Sequence, residues 1–302
     1  MKKIFLLAIL VFSANDMFGQ ANLLNAKNPL EVGDSSSSKA IVEFMDYEYV
    51  DDKDILWSKV VYEFIDLNER LNFPLLFPVN DTKYDDTRKS LWRIIRENIV
   101  NGKISEVYDS NNDNFTEASR IIGKDSTDLE ANIYKNYNIS DIYKSKYVPE
   151  SFVPREIASS ADIFGYVIKG VWYFDKIHAE LRYRLLAIQP YGTDLKTSVD
   201  GEETETGYFW IWYPSIREIL DDHLVFNDKN NNNRVSFDEL LINRRFSSYI
   251  YKYDNVYGDR EIRDYIRQRD NESYAQWQTR IVMESERIKK EILDFEIDMW
   301  GY

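Results

Sequence analysis

The sequence predicts an α+β fold: amphipathic N-terminal helices, an aromatic-rich and mainly antiparallel sheet, and a long C-terminal helix. Three observations carry this expectation. Apolar residues between positions 54 and 99 recur at helical spacing. Residues 164–213 hold aromatic and β-branched runs separated by polar turns, the pattern of strands. From Tyr274 to Met299 the seam Tyr274, Gln278, Ile281, Ser285, Ile288, Ile292, Phe295, Met299 alternates spacings of four and three. The 302 residues are 44% hydrophobic and 15% aromatic, enough large apolar surface to offset the entropy of ordering a chain.

Taken in order, Met1-Lys2-Lys3, the apolar run Ile4–Phe12 and the more polar Ser13–Gly19 read as a secretory signal peptide over residues 1–19. The run is too short to span a bilayer, which needs roughly 20 apolar residues. Residues 20–40, with Asn28-Pro29, Gly33 and four consecutive serines, read as a linker, and residues 41–302 as the α+β domain. A helix is expected from Asp54, with Leu56, Val60, Phe64, Leu67 and Leu71 as its stripe and Pro74 as its stop, followed by an extended Phe73–Val79. A second helix is expected near Asp86 or Thr87, with Leu91, Ile94, Ile95, Asn98 and Ile99 inward and Asn101-Gly102 at its end. Ile104–Val107 reads as a short strand. Residues 123–160 are polar and irregular, a place for a sub-domain boundary with short elements inside it. Phe164–Phe174, Glu180–Ile188 and Tyr208–Tyr213 read as strands, with a polar hairpin-like loop at 192–207 and a helix after Pro214. The C-terminal seam predicts a helix packed on the domain's own sheet.

Composition narrows the chemistry. Lys and Arg number 38 against 52 Asp and Glu, a formal charge of −14, which disfavours nucleic acid and anionic membrane surfaces as partners. With no cysteine there is no disulfide, thiolate site or lipid attachment through Cys, so membrane association is expected through a partner and not by direct insertion. The two histidines, His178 and His223, cannot make a three-His metal site; His178-Ala179-Glu180 reads as a polar pair on a strand face and His223 as surface. No nucleophile elbow, P-loop, dinucleotide fingerprint or zinc-protease motif is present, so no catalytic residue is assigned. One stretch has metal-ligand spacing. Asp228, Asn230, Asn232, Ser236 and Glu239 fill positions 1, 3, 5, 9 and 12 of a calcium loop, with Asn233 where glycine is usual. Two charged ligands make this a weak calcium site at most, and the plainer reading is an Asn-rich turn leading into a helix. No other cofactor is implied.

Several segments, in this order and spacing, resemble the GldN/PorN family of gliding motility and type IX secretion. They are Asp54–Val61, Ile65–Arg70, Pro74-Leu75, Phe77-Pro78, Ser90-Leu91, Gly102–Ile104 and Val107–Asp109 in the first half. Trp172–Lys176, Arg184–Pro190, Phe209–Pro214, Val225–Asp228, Ser236–Leu241, Arg245–Lys252 and Phe295–Trp300 follow. The resemblance implies a non-enzymatic periplasmic subunit at the inner face of the outer membrane. It implies a ring formed with a GldK/PorK-type lipoprotein, and contact with a GldM/PorM-type periplasmic shaft. It also implies that Ser236–Leu241 starts a helix. The alternative class is an exported hydrolase or glycan-binding protein acting alone.

An acidic chain packs poorly against copies of itself through acidic faces, so contacts should centre on aromatic and arginine anchors. Tyr208, Trp210, Trp212, Arg244, Arg245, Tyr249 and Tyr251 are the candidates to build the partner-binding surface or its immediate support. Tyr208–Tyr213 has no polar alternate, so both faces of that strand need cover.

Overall fold

In a computed structural model the described residues are 45–80, 88–121, 134–135, 156–194, 205–226 and 235–300. The expected signal peptide and linker, Asp86 and Thr87, most of 123–160, and Asp228, Asn230 and Asn232 lie outside them. The strands are β1 (Ile55–Asp66), β2 (Val107–Asp109), β3 (Tyr134–Lys135), β4 (Glu156–Ile157), β5 (Ile163–Asp175), β6 (Glu180–Thr193), β7 (Glu205–Gly207), β8 (Phe209–Trp212) and β9 (Tyr249–Tyr253). The helices are α1 (Phe73–Leu76), α2 (Leu91–Val100), α3 (Arg217–Asp221), α4 (Phe237–Ile242), α5 (Ile262–Tyr265) and α6 (Tyr274–Trp300). Seven strands form one antiparallel sheet in the order β2-β8-β6-β5-β1-β9, with β7 also on β6; β3 and β4 pair separately.

Cross-strand partners share a face of a sheet, so the register sorts the side chains. One row, Val107, Ile211, Ile188, Ile168, Glu63 and Ile250, crosses six strands on what we call the helix face. The neighbouring row, Trp212, Ala187, Lys169, Tyr62 and Lys252, crosses five strands on the opposite, aromatic face. The helix face is covered twice. α2, α3 and α4 close one end over a core that includes Trp92, Ile95, Leu220 and Phe237, all at most 1% exposed. α6 closes the other end through Ile281, Ile288 and Ile292 against Val61 and Ile250. Trp57 stacks on Phe295 at 4.7 Å, and Lys59 pairs with Glu291 at 2.6 Å.

The region expected to be the first helix is β1. Its residues match a helical stripe because a strand flanked on both sides and buried on both faces offers apolar residues at every spacing. The stripe's ends, Leu56 and Leu71, are 52% and 60% exposed, and Val60, Val61, Tyr62, Phe64 and Ile65 are strand-forming types. Phe73–Val79 is not extended throughout. It opens with α1, where Pro74 occupies the first turn and its missing N–H has no helical partner to lose. α2 begins at Leu91 with Ser90 as its cap, the hydroxyl accepting the Arg93 N–H at 3.2 Å. The expected strand at Ile104–Val107 forms instead as Val107–Asp109. His178 is not on a strand face. It stands in the β5–β6 turn, Nδ1 at 2.7 Å from Asp175, beside Ala179 with φ of 53°.

Both edges of the sheet are blunted. At β2 the amides of Asp109 and Ile121 pair with the carbonyls of Ser119 and Val107. At β9 the cover comes from α6, where fully buried Ser285 accepts the Ile250 N–H at 2.8 Å and Lys289 donates to the Ser248 carbonyl at 2.8 Å. The polar position in the apolar seam is therefore an edge cap. Ser285→Ala should leave the Ile250 N–H buried and unpaired, lowering stability in urea unfolding by about 1–3 kcal/mol. Met283→Ala, at a site 65% exposed, should change it by less than about 0.5 kcal/mol. Equal effects at the two positions would contradict this role.

Candidate functional site

The aromatic face carries no helical layer among the described residues. It holds a small buried cluster of Tyr62, Tyr108, Val167, Ala187 and Trp210, flanked by half-buried Phe64, Phe115, Tyr191, Trp212 and Tyr251. The loop after β2 folds back over one end. Phe115 packs on Tyr108 at 5.2 Å, Trp212 at 5.1 Å and Trp210 at 6.3 Å. The rest of the face forms an open cleft of about 650 Å³ between that loop, β7, the Glu261–Arg263 segment and the start of α6.

A charged network organises the floor. Asp113 accepts from the Tyr62 hydroxyl at 2.5 Å and from Lys252 at 3.0 Å, while Lys169 donates to the Asp113 carbonyl at 3.0 Å. Lys252 and Lys169 also lie over the Tyr62 ring, at 4.4 and 5.1 Å. Burial pushes the Asp113 carboxyl upward, but the hydrogen bonds from Tyr62 and Lys252 outweigh it, and its pKa lies below the ordinary value. Burial lowers that of Lys169, against the pull of Asp113. Tyr62 is raised, first by burial and then by its bond to Asp113.

A second aromatic row borders this network. Phe64 packs against Tyr249 at 5.6 Å and edge-on against Tyr191 at 5.4 Å. Gly165 makes the row possible, because the Phe64 ring occupies the space its Cβ would take. Tyr251 sits at the β1–β9 register shift and meets Tyr62 at 6.3 Å.

The structure gathers some of the expected partner-binding residues here and separates others. Trp210, Tyr249 and Tyr251 line the cleft, Trp210 as buried floor at 3% exposure and Tyr249 at its edge at 37%. Trp212 stands half-buried beside Phe115. Tyr208 faces the other way, into the helix-face core against Trp92 at 5.5 Å, and can only support the surface. Arg244 is spent inside, on Glu63 at 2.6 Å, and Arg245 pairs with Glu239 at 3.3 Å away from the cleft. Sequence reasoning missed Tyr62, Phe64, Asp113, Lys169, Tyr191 and Lys252. The alternation of Tyr62 and Phe64 would have shown them, had β1 been read as a strand. Of the calcium-loop residues, Ser236 caps α4 by accepting the Glu239 N–H at 3.0 Å, and Glu239 lies in that helix's first turn. Among the described residues no group of three or more His, Cys, Asp or Glu is placed to hold a metal ion.

Asp113 makes the network pH-sensitive with a definite sign. Its folded pKa is depressed, so the unfolded chain takes up the proton first as pH falls. The stabilisation is complete above the ordinary carboxylate value of about 4 and is lost as pH drops toward the folded value. Asp113→Asn should therefore flatten the decline in stability below about pH 4, as read by denaturant unfolding across a pH series. An unchanged slope would exclude Asp113 as a contributor.

No helix among the described residues is long and apolar enough to cross a membrane. The family model described as gliding motility associated protein GldN matches residues 50–301. No match is found among curated proteins.

Proposed function

Because the chain belongs to the GldN family, a component of the gliding-motility and type IX secretion machinery, we propose that it is a non-enzymatic periplasmic structural subunit docking its partners through the aromatic face. In this reading it assembles into a ring with an outer-membrane lipoprotein of the GldK/PorK type. It also meets the GldM/PorM-type shaft, so that motor movement reaches the secretion apparatus at the outer membrane. The observation that carries the reading is the asymmetry of the sheet. Helices cover one face and both edges are blunted, while the opposite face keeps an open cleft edged by Phe64, Tyr191, Tyr249 and Tyr251. Large aromatic side chains at a cleft are the residue type that dominates interface energetics.

Replacing Tyr249 and Tyr251 together by alanine tests the surface. Both lie on β9 with part of the ring accessible, so the chain should remain folded by circular dichroism. Recovery of the lipoprotein with the tagged chain from native outer membrane should fall at least tenfold, which corresponds to about 1.4 kcal/mol. A folded double variant that recovers the lipoprotein at the normal ratio would remove this face from the interface.

A further inference from the structure

The two aromatic-face rows differ in one respect. Tyr62 already carries two ammonium groups from its own chain, Lys252 and Lys169. In the Tyr249–Phe64–Tyr191 row, no cation of the described residues lies over any of the three rings. Acidic groups are nevertheless at hand. Glu205 stands exposed in the cleft wall; after burial it is the main charge raising the Tyr191 hydroxyl pKa, while at Tyr249 Asp66 raises it more and Arg263 opposes the smaller effect of Glu205. The nearby cation, Arg263, is held on Glu261 at 2.5 Å. The rings do not make a flat platform. Phe64 meets Tyr191 at 86° and Tyr249 at 42°, so the rings offer no shared plane for the broad face of a sugar ring, whereas a compact cation needs only one ring face. The formal charge of −14 draws cationic partners over long range.

We propose that the Tyr249–Phe64–Tyr191 row, with Glu205 as counter-ion, receives a lysine or arginine side chain from a basic segment of the docked protein. This rests on the docking reading of the same face and names the chemistry of what docks. The face would use twice the ammonium-on-tyrosine contact that it builds once from its own residues, the second cation arriving from outside.

The test titrates the full mature chain with the peptide acetyl-Lys-Arg-Lys-Arg-amide, read by calorimetry, with its acetyl-lysine and citrulline analogue as control and chitohexaose as competitor. The charged peptide should bind and the neutral analogue should not. Glu205→Gln and Tyr249→Leu should each weaken binding by about threefold or more, whereas Asp298→Asn, an exposed charge on α6, should not. The proposal is overturned if the peptide does not bind, if Asp298→Asn weakens binding as much as Glu205→Gln, or if chitohexaose displaces the peptide. Its failure is separable from that of the docking reading. If the peptide fails while the Tyr249/Tyr251 variant still loses the lipoprotein, the surface stands and its partner is not basic. If that variant keeps the lipoprotein, the surface itself falls.

Discussion

A buried carboxylate on the central strand fixes the rest of the architecture. Glu63 is 1% exposed in a row otherwise made of Val107, Ile211, Ile188, Ile168 and Ile250. A charge there is tolerated only if it is paired and hydrogen-bonded. Arg244 and Ser248 supply both at Oε2, at 2.6 and 2.5 Å, while buried Oε1 has no hydrogen-bond partner among the described residues. Arg244 reaches it from the turn after α4 with a left-handed backbone at φ 51°, and its guanidinium lies 4.2 Å over the Tyr183 ring. Gly170 leaves the space that the Tyr183 ring fills. The pair thus ties the end of α4 and the approach to β9 onto β1, at the point where the two helix-face cores meet. Removing one partner of such a pair costs more than its formation contributes, because the other charge remains buried.

Once β9 is placed, α6 has its seat. The Ile250 amide needs an acceptor and the apolar seam presents Ser285 at that height, so the edge is closed by the chain's own last helix. The result is a sheet with a division of labour. The helix face and the edges serve stability, and the aromatic face, built on rows that alternate with the core rows, remains available for a partner. The same pleat that buries Glu63 and Ile65 turns Tyr62 and Phe64 outward.

Much of this was legible in the sequence where one period dominated. The long C-terminal helix, the β5 and β6 strands and the need to cover both faces of Tyr208–Tyr213 follow from local pattern. The expected start of the second helix near Asp86 or Thr87 gives way to a cap at Ser90, and the start at Ser236 rests on the family resemblance. β1 was not legible, because burial on both faces erased its period-two signal and left a chance helical stripe. That one error hid part of the site, since Tyr62 and Phe64 of the cleft come from β1. Arg244 shows a different limit. Its sequence neighbourhood suggests a surface anchor, but its role is set by Glu63, 181 residues away, and only the folded register brings them together. Tyr208 and Trp210 stand two residues apart, so a strand pattern implies one shared face. Tyr208 precedes the first residue of β8 and turns into the helix-face core, while Trp210 stays on the aromatic face.

The proposed interface is the aromatic face, and not an edge or the outer side of α6. Hydroxyl-radical footprinting of the mature chain, free and in complex with the outer-membrane lipoprotein, reads it side chain by side chain. Phe64, Tyr191, Tyr249 and Tyr251 should be oxidised in the free chain and protected in the complex, while Met283 and Leu293 on the exposed side of α6 should react equally in both. Protection of Met283 and Leu293 with the cleft aromatics still reactive would contradict it.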